Sequence, residues 1–377
     1  MRPDGMRLPT RKSGVRFMER RDLDTVARLF LAVFRDRKET PSADLLSYLE
    51  ELCFGSPALT PENGSLVYEN RAGTILAALI AVPMRFRVGG RQVTARLLCS
   101  FMCCGPAGMR AAACLNHHFH GLSYDLVFSD TAQVQSVGHW RAGGGDMMPV
   151  ESLAWCRVFR PLQASLERLE RPGKGRASRA LARVLRAPAH VADGLVRRAY
   201  PRFRANGSDQ LSARVVDAAA FARVAPALLS RFDVYPDWSG EDFSWVCAMA
   251  ARNTRLGPLR FCLVEDGEGR AVGAAAWCGS AGGEANVLNL LCEDGREREC
   301  VAEVLDLLDQ AGHSHAVGMT QTFLFPALQM QPHVCFRHRG FFCFSSSDPD
   351  VRAAGAGGRF YAGGLASESW SRLLNDF

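Results

Sequence analysis

The chain has no apolar run near the ~18 residues that a membrane-spanning helix requires. Its basic first residues, MRPDGMRLPTRKSG, hold no hydrophobic stretch, so they do not read as a secretory leader. The thirteen cysteines are odd in number, scattered, and never spaced as C-x-x-C. Several (Cys99, Cys262, Cys278) fall inside apolar strand patterns, which points to reduced core thiols rather than a disulfide framework. Zinc-finger spacing is absent, as is a base-stacking aromatic strand. The expectation is a cytoplasmic protein without a membrane span, a bound metal or a nucleic-acid partner. His117-His118-x-His120 does not change this, because a regular helix cannot turn all three rings toward one ion.

What is present is an ordinary globular balance, 47% hydrophobic and 22% charged over 377 residues, enough chain for two domains. Residues 91–161 are the most informative stretch. A strand (RQVTARLLCSFMCC) runs into a short loop (GPAGMR) and a small-residue helix (AAACLNHHFHGLS). A second strand (YDLVFSD) feeds a helix (AQVQSVGHWRA) that ends in three glycines, and one last strand (MMPVESLAWCRVFRP) closes the run. Two neighbouring strands thus open straight into helices. In an α/β fold, that is where backbone N–H groups face an anionic ligand.

Upstream, a short strand, two helices and a meander with a Gly89-Gly90 hairpin complete a first domain over residues 14–160. Residues 161–207 differ in character: eleven Lys or Arg stand against three acids, a net +8 in a chain whose total is +6. Their apolar residues suggest amphipathic helices split by Pro188. This segment is a solvated connector or a docking face for an acidic partner. Residues 208–377 repeat the first half's order of elements more loosely, with SSSDPD and RAAGAGG read as loops.

The order strand, phosphate loop, helix, strand, helix, Gly-Gly, strand resembles the acyl-CoA-binding half of a GCN5-related N-acetyltransferase (GNAT). The resemblance extends over the first domain and, in order and spacing only, over the second. It implies an α/β mixed-sheet fold, the acyl-CoA N-acyltransferase fold, with two GNAT-like domains in tandem. It also implies a donor substrate, acetyl-CoA or another acyl-CoA, and an amine-bearing acceptor, a small molecule or a peptide. An acyl carrier protein is the alternative donor.

Carried over residue by residue, the resemblance implies a pyrophosphate motif at residues 107–112, with a second register at 102–107. In either register the motif is degraded: in the first, Ala107 stands for Gln or Arg and Arg110 for the central glycine, and the second keeps Gly105 and Ala107 but has Met102 in place of the leading Gln or Arg. The donor-binding candidates are therefore Cys103, Cys104, Gly105, Gly108, Met109, Arg110, Ala111 and Ala112, with N–H groups near Cys103 or Cys104 as the oxyanion donors. Family members often carry a Tyr four residues before a Gly on the next helix, to protonate the leaving thiolate. Here His139 stands four before Gly143, and it is the general-acid candidate. Asp130, at the carboxyl end of its strand, is a second catalytic candidate and also an N-cap candidate. The corresponding corner of the second half reads Glu293-Asp294 and would repel a diphosphate, so donor binding is expected in the first half.

The function implied is an N-acyltransferase in which the amine attacks the thioester directly. One alternative is a fatty-acyl transferase, with Phe101, Met102, Met147, Met148 and Phe159 lining an acyl tunnel. The other is a non-catalytic binding protein on the same fold.

Overall fold

The computed structural model describes residues 13–122, 124–170 and 175–377, with the side chains of residues 120, 121, 176 and 179 excepted. Most of the basic first segment, Arg171 and Lys174 lie outside the described residues, as do the side chains of His120, Arg176 and Arg179.

Strand β1 (Gly14–Phe17) leads to helices α1 (Leu23–Phe34) and α2 (Ala43–Phe54), then to strands β2 (Leu66–Glu69), β3 (Ile75–Val88) and β4 (Arg91–Cys103). Helix α3 (Gly105–Gly121), strand β5 (Leu126–Ala132), helix α4 (Val134–Ala142) and strand β6 (Asp146–Met148) follow. Strand β7 (Leu153–Val158) and helices α5 (Pro161–Glu170) and α6 (Arg176–Ala199) lead into the second half. That half runs through β8 (Leu211–Val216), α7 (Ala218–Leu229), β9 (Val234–Pro236), α8 (Glu241–Ala251), β10 (Leu259–Asp266), β11 (Ala271–Cys278) and β12 (Glu284–Cys292). It continues with α9 (Glu297–Gln310), β13 (His315–Met319), α10 (Phe325–Gln329), β14 (Val334–His338), β15 (Phe341–Ser345) and α11 (Pro349–Ala356), and ends in a tail of short turns.

Local chemistry explains many of these elements. Ser42 caps α2 by accepting the Leu45 N–H at 3.1 Å, and α1 buries a stripe of Val26, Ala27, Phe30 and Leu31 at helical spacing. Gly89 and Gly90, both with positive φ, close the β3–β4 hairpin as expected.

The strands form two mixed sheets of matching plan. One is ordered β1-β2-β3-β4-β5-β15-β6, with β9 added to β3, and the other β14-β7-β13-β12-β11-β10-β8. Each has one parallel pair, β4 with β5 and β12 with β13, and the other pairings are antiparallel.

The sheets cross the division expected at residues 160 and 208. Strand β7 pairs with β13 and β14 in the second sheet, and β15 pairs with β5 and β6 in the first. The stretch read as one last strand is therefore two strands in different sheets. Strands β7 and β15 are both largely apolar, and nothing local says which sheet they join. The largest core is also common to both halves, since it joins Phe86 and Phe128 of the first sheet to Phe221, Phe243 and Phe261 of the second half.

Three local expectations are corrected as well. GPAGMR is the start of α3 rather than a loop, because β4 and α3 are separated by Cys104 alone. Helix α6 runs through Pro188, on a solvent face where water can take the carbonyl that the missing N–H leaves unbonded. Part of RAAGAGG lies in α11, capped by Asp348, which accepts the Asp350 N–H at 2.9 Å.

The tail returns to the first half and is pinned there. Arg372 pairs with Asp44 of α2 at 2.6 Å and with Asp376 at 2.6 Å, and its N–H donates to the buried Tyr48 hydroxyl at 3.0 Å.

Candidate active site

Strands β4 and β5 pair only where Ala95, Arg96 and Leu97 face Leu126, Val127 and Phe128. Beyond that the two strands part. At the parting point β4 carries a bulge: Ser100 faces Ile80 and Leu98 faces Ala81, so Cys99 has no partner on β3. A bulge kinks its strand and frees backbone groups from the ladder, and such bulges recur beside active sites.

A cavity of about 320 Å³ occupies the gap. On one face of the sheet it is lined by Phe30 and Phe34 of α1, by Arg35 just past its end, and by Glu368, Leu373 and Leu374 of the tail. On the other face stand Leu115, Asn116 and Phe119 of α3 and Ser136, His139 and Trp140 of α4. Leu79, the β4 residues Leu98, Cys99, Ser100 and Phe101, and the β5 residues Ser129, Thr131 and Ala132 form its waist. The cavity therefore passes through the sheet.

Glu368 is the unusual group in it. The residue is 1% exposed. Its Oε2 accepts the Thr131 hydroxyl at 2.6 Å, while Oε1 is buried with no hydrogen-bond partner among the described residues. Burial first, and then the negative charge of Asp130, push its carboxyl well above the usual range; the Thr131 hydroxyl and Arg339 oppose this. Cys99 is likewise held as a neutral thiol, by burial and then by Glu368 and Asp130.

Of the two catalytic candidates, His139 lines the cavity and is exposed. Asp130 does not line it. Fully buried, Asp130 pairs with Arg339 at 2.9 Å and accepts the Glu368 N–H at 3.0 Å. It ties β5 to the β14–β15 connection and to the tail, so its carboxylate is engaged rather than open to an amine. Nor does it cap α4, whose N-cap is Gln133.

The donor-binding candidates also lie off the cavity. Cys104 is the N-cap of α3 and makes no capping bond, and Gly105 follows with φ +68°. Gly108 is buried where α3 crosses β3, and a Cβ there would stand 3.1 Å from the Leu76 carbonyl oxygen. Ala111 and Ala112 pack into the core between α3 and the sheet, while Met109 and Arg110 face solvent. Cys103 is still paired with Ala77 of β3, so the unpaired β4 residue is Cys99. What remains for an anion is the exposed, acid-free first turn of α3 with Arg110 beside it.

Of the residues expected to line an acyl tunnel, only Phe101 reaches the cavity. Met102 and Met148 are in the main core, Phe159 is in the second core, and Met147 is partly buried against a third. Sequence reasoning missed Glu368, Cys99, Ser129 and Thr131. The one local hint for Glu368 is an acid within the small and apolar run LASESW, which is weak.

The second sheet has the same construction. β12 and β13 pair from Glu284 to Val287, and Leu288 is the unpaired bulge residue. There the tail fills the gap. The Asn289 side chain donates to the Tyr361 hydroxyl at 2.7 Å and to the Gly363 carbonyl at 2.8 Å, and it accepts the Leu365 N–H at 3.0 Å. At the head of α9, Arg231 binds Asp294 and Glu297, and Arg270 binds Glu293.

Two helices after the first strand, an antiparallel meander, a parallel pair parting over a bulge and a helix after each parting strand define the acyl-CoA N-acyltransferase fold, present here as two GNAT-like units in one chain. Solved structures share it. The chain is similar to a GCN5-related N-acetyltransferase from Anabaena variabilis ATCC 29413, with TM-score 0.55 and 12% identity over 90% of this chain and 74% of that one. A protein of unknown function from Enterococcus faecalis V583, described as a probable N-acyltransferase, gives 0.54 and 11% over 88% and 72%. A GCN5-related N-acetyltransferase from Kribbella flavida gives 0.50 and 12% over 92% and 74%. At such identity the likeness is one of fold. No family model and no curated protein matches the sequence.

Proposed function

We propose that the chain is an acyltransferase that moves an acyl group from acyl-CoA to an amine. The observation that carries this reading is the cavity through the parted strands with the unpartnered Glu368 oxygen inside it. The donor enters on the α3–α4 face, its phosphates toward the open head of α3 and Arg110. The acceptor enters on the α1 face. An incoming ammonium stabilises the ionised Glu368, which then takes the proton, and its raised affinity for protons makes it an effective base once ionised. The neutral amine attacks the thioester carbon, and the unpaired backbone at Cys99 faces the oxygen as negative charge develops. The C–S bond breaks, His139 gives a proton to the thiolate, and the new amide nitrogen loses its second proton to water, which reprotonates His139. No cysteine nucleophile is used: Cys103 and Cys104 lie outside the cavity, and Cys99 is kept as a thiol.

The lining favours an acyl group longer than acetyl as a second reading. Leu79, Leu98, Phe101, Leu115, Phe119 and Trp140 make the waist and the donor side largely apolar. The test is thiol release from acetyl-, octanoyl- and tetradecanoyl-CoA against a panel of primary amines. Product mass should equal amine plus acyl group. If no donor releases thiol with any amine and calorimetry shows no CoA binding, the alternative of a non-catalytic fold stands instead.

A further inference from the structure

Helix α6 has three faces. Its small residues Ala182 and Ala189 turn inward with Asp193. Asp193, the helix's one acid, accepts the N–H groups of Leu162 and Gln163 at 2.9 and 3.0 Å and so caps α5. A second face is apolar yet open to water: Leu181 is 53% exposed, Val184 74%, Leu185 40%, Val191 68% and Leu195 61%. At 3.6 residues per turn these five share a stripe of about 120°. Of the described arginines on the helix, Arg186 pairs with Glu170 and Arg197 with Asp309, each within 2.7 Å, which leaves Arg183 and Arg198 without an acid partner among the described residues. Arg183 and Arg198 flank the stripe on the side away from α5 and are exposed.

We infer that α6 is a docking surface for an anionic lipid membrane, with the helix lying flat in the interface. This goes beyond the proposed transfer reaction and does not depend on it. Among the described residues no helix is long and apolar enough to cross a bilayer, so the contact is at the surface. An acidic protein such as an acyl carrier protein would use the arginines and leave the stripe in water. A neutral apolar partner would use the stripe and leave the excess charge unmatched. An anionic bilayer takes both at once: the stripe enters the acyl boundary while the flanking arginines reach phosphate headgroups. No acid on α6 opposes this, because Asp193 is consumed inside.

The test is co-sedimentation of the full chain with vesicles of phosphatidylcholine alone, or mixed with phosphatidylglycerol, at rising salt. The expected result is binding to the mixed vesicles only, weakened by salt because exposed charges are screened. Val184→Asp combined with Leu195→Asp should weaken that binding at least about tenfold, and so should Arg183→Glu combined with Arg198→Glu, with thermal unfolding unchanged. No binding by the unmodified chain, equal binding to both vesicle types, or full binding by the stripe variant would overturn the inference. So would a stripe-dependent self-association, or a salt-sensitive acyl carrier protein complex, in a chain that ignores lipid. The vesicle series on the unmodified chain decides the matter even if a variant misfolds.

Discussion

The two halves build the same gap and treat it differently. In each, a parallel pair parts just past a bulge, at Cys99 in the first sheet and at Leu288 in the second. In the first, the tail supplies Glu368 to the wall and leaves a cavity. In the second, the same tail enters the gap and saturates Asn289. The helix heads differ in the same sense: α3 has no acid in its first turn, whereas α9 has Glu297 and Glu299. Two units of one plan thus leave one gap open and use the other to hold the tail that lines the first.

The largest expected effect falls on the open gap. Glu368→Gln keeps the size and the Thr131 contact but removes the base, and should lower kcat by roughly 10²–10⁴-fold. In the unsubstituted chain, kcat/KM should fall as pH drops through the raised Glu368 pKa, where the carboxylate of the free protein is lost. Stability should move the other way. The folded state holds this proton where the unfolded state has released it, so stability is highest below the ordinary carboxylate pKa and declines as pH rises toward the raised value. Glu368→Gln should flatten that decline in denaturant titrations. An unchanged kcat would remove the contrast between the gaps.

The filled gap should fail in stability instead. Gly364 has φ +57°, and an added Cβ would lie 1.8 Å from the Leu288 carbonyl oxygen. Gly364→Ala should therefore cost about 3 kcal/mol or more in urea unfolding. Gly105→Ala, with φ +68° but open space around it, should cost only about 1 kcal/mol. Equal losses would mean that the tail does not lock into the second gap.

His139 should matter less than Glu368, since a thiolate leaves readily without help. His139→Gln should lower kcat by about 10²-fold with donor affinity kept. Full activity in this variant would leave the proton to water.

The smallest effect concerns the donor. Arg110→Glu should weaken acyl-CoA binding by more than ~1.4 kcal/mol, a tenfold change, in calorimetry. Glu293→Gln should leave it unaltered, because Glu293 is already paired with Arg270 in the other half. The reverse ranking would move donor binding to the second unit.

Much of the frame was legible. The alternation of strand and helix from residue 91 onward was readable, and Gly89-Gly90 marked the hairpin, because these signals are local and each residue carries its share. The site was less so. His139, named through the resemblance from its place four residues before Gly143, does line the cavity. Asp130 was placed at the correct strand end, but its partner Arg339 lies 209 positions away, and with it the reason its carboxylate is occupied. The candidates around Gly108 followed a loop that the direct β4–α3 junction does not form.

By itself the sequence determined what short-range physics encodes: most of the strands and helices before residue 142, their order, its looser repetition, and the charge of the connector and the two helix heads. Tertiary structure decided which sheet β7 and β15 join, since an apolar strand fits any edge that offers hydrogen bonds and cover. It also decided that Glu368, 237 residues from Thr131, stands buried in the first gap. A carboxyl gains a raised pKa only from the burial and the neighbouring charge that folding assembles, and neither is written beside it in the chain.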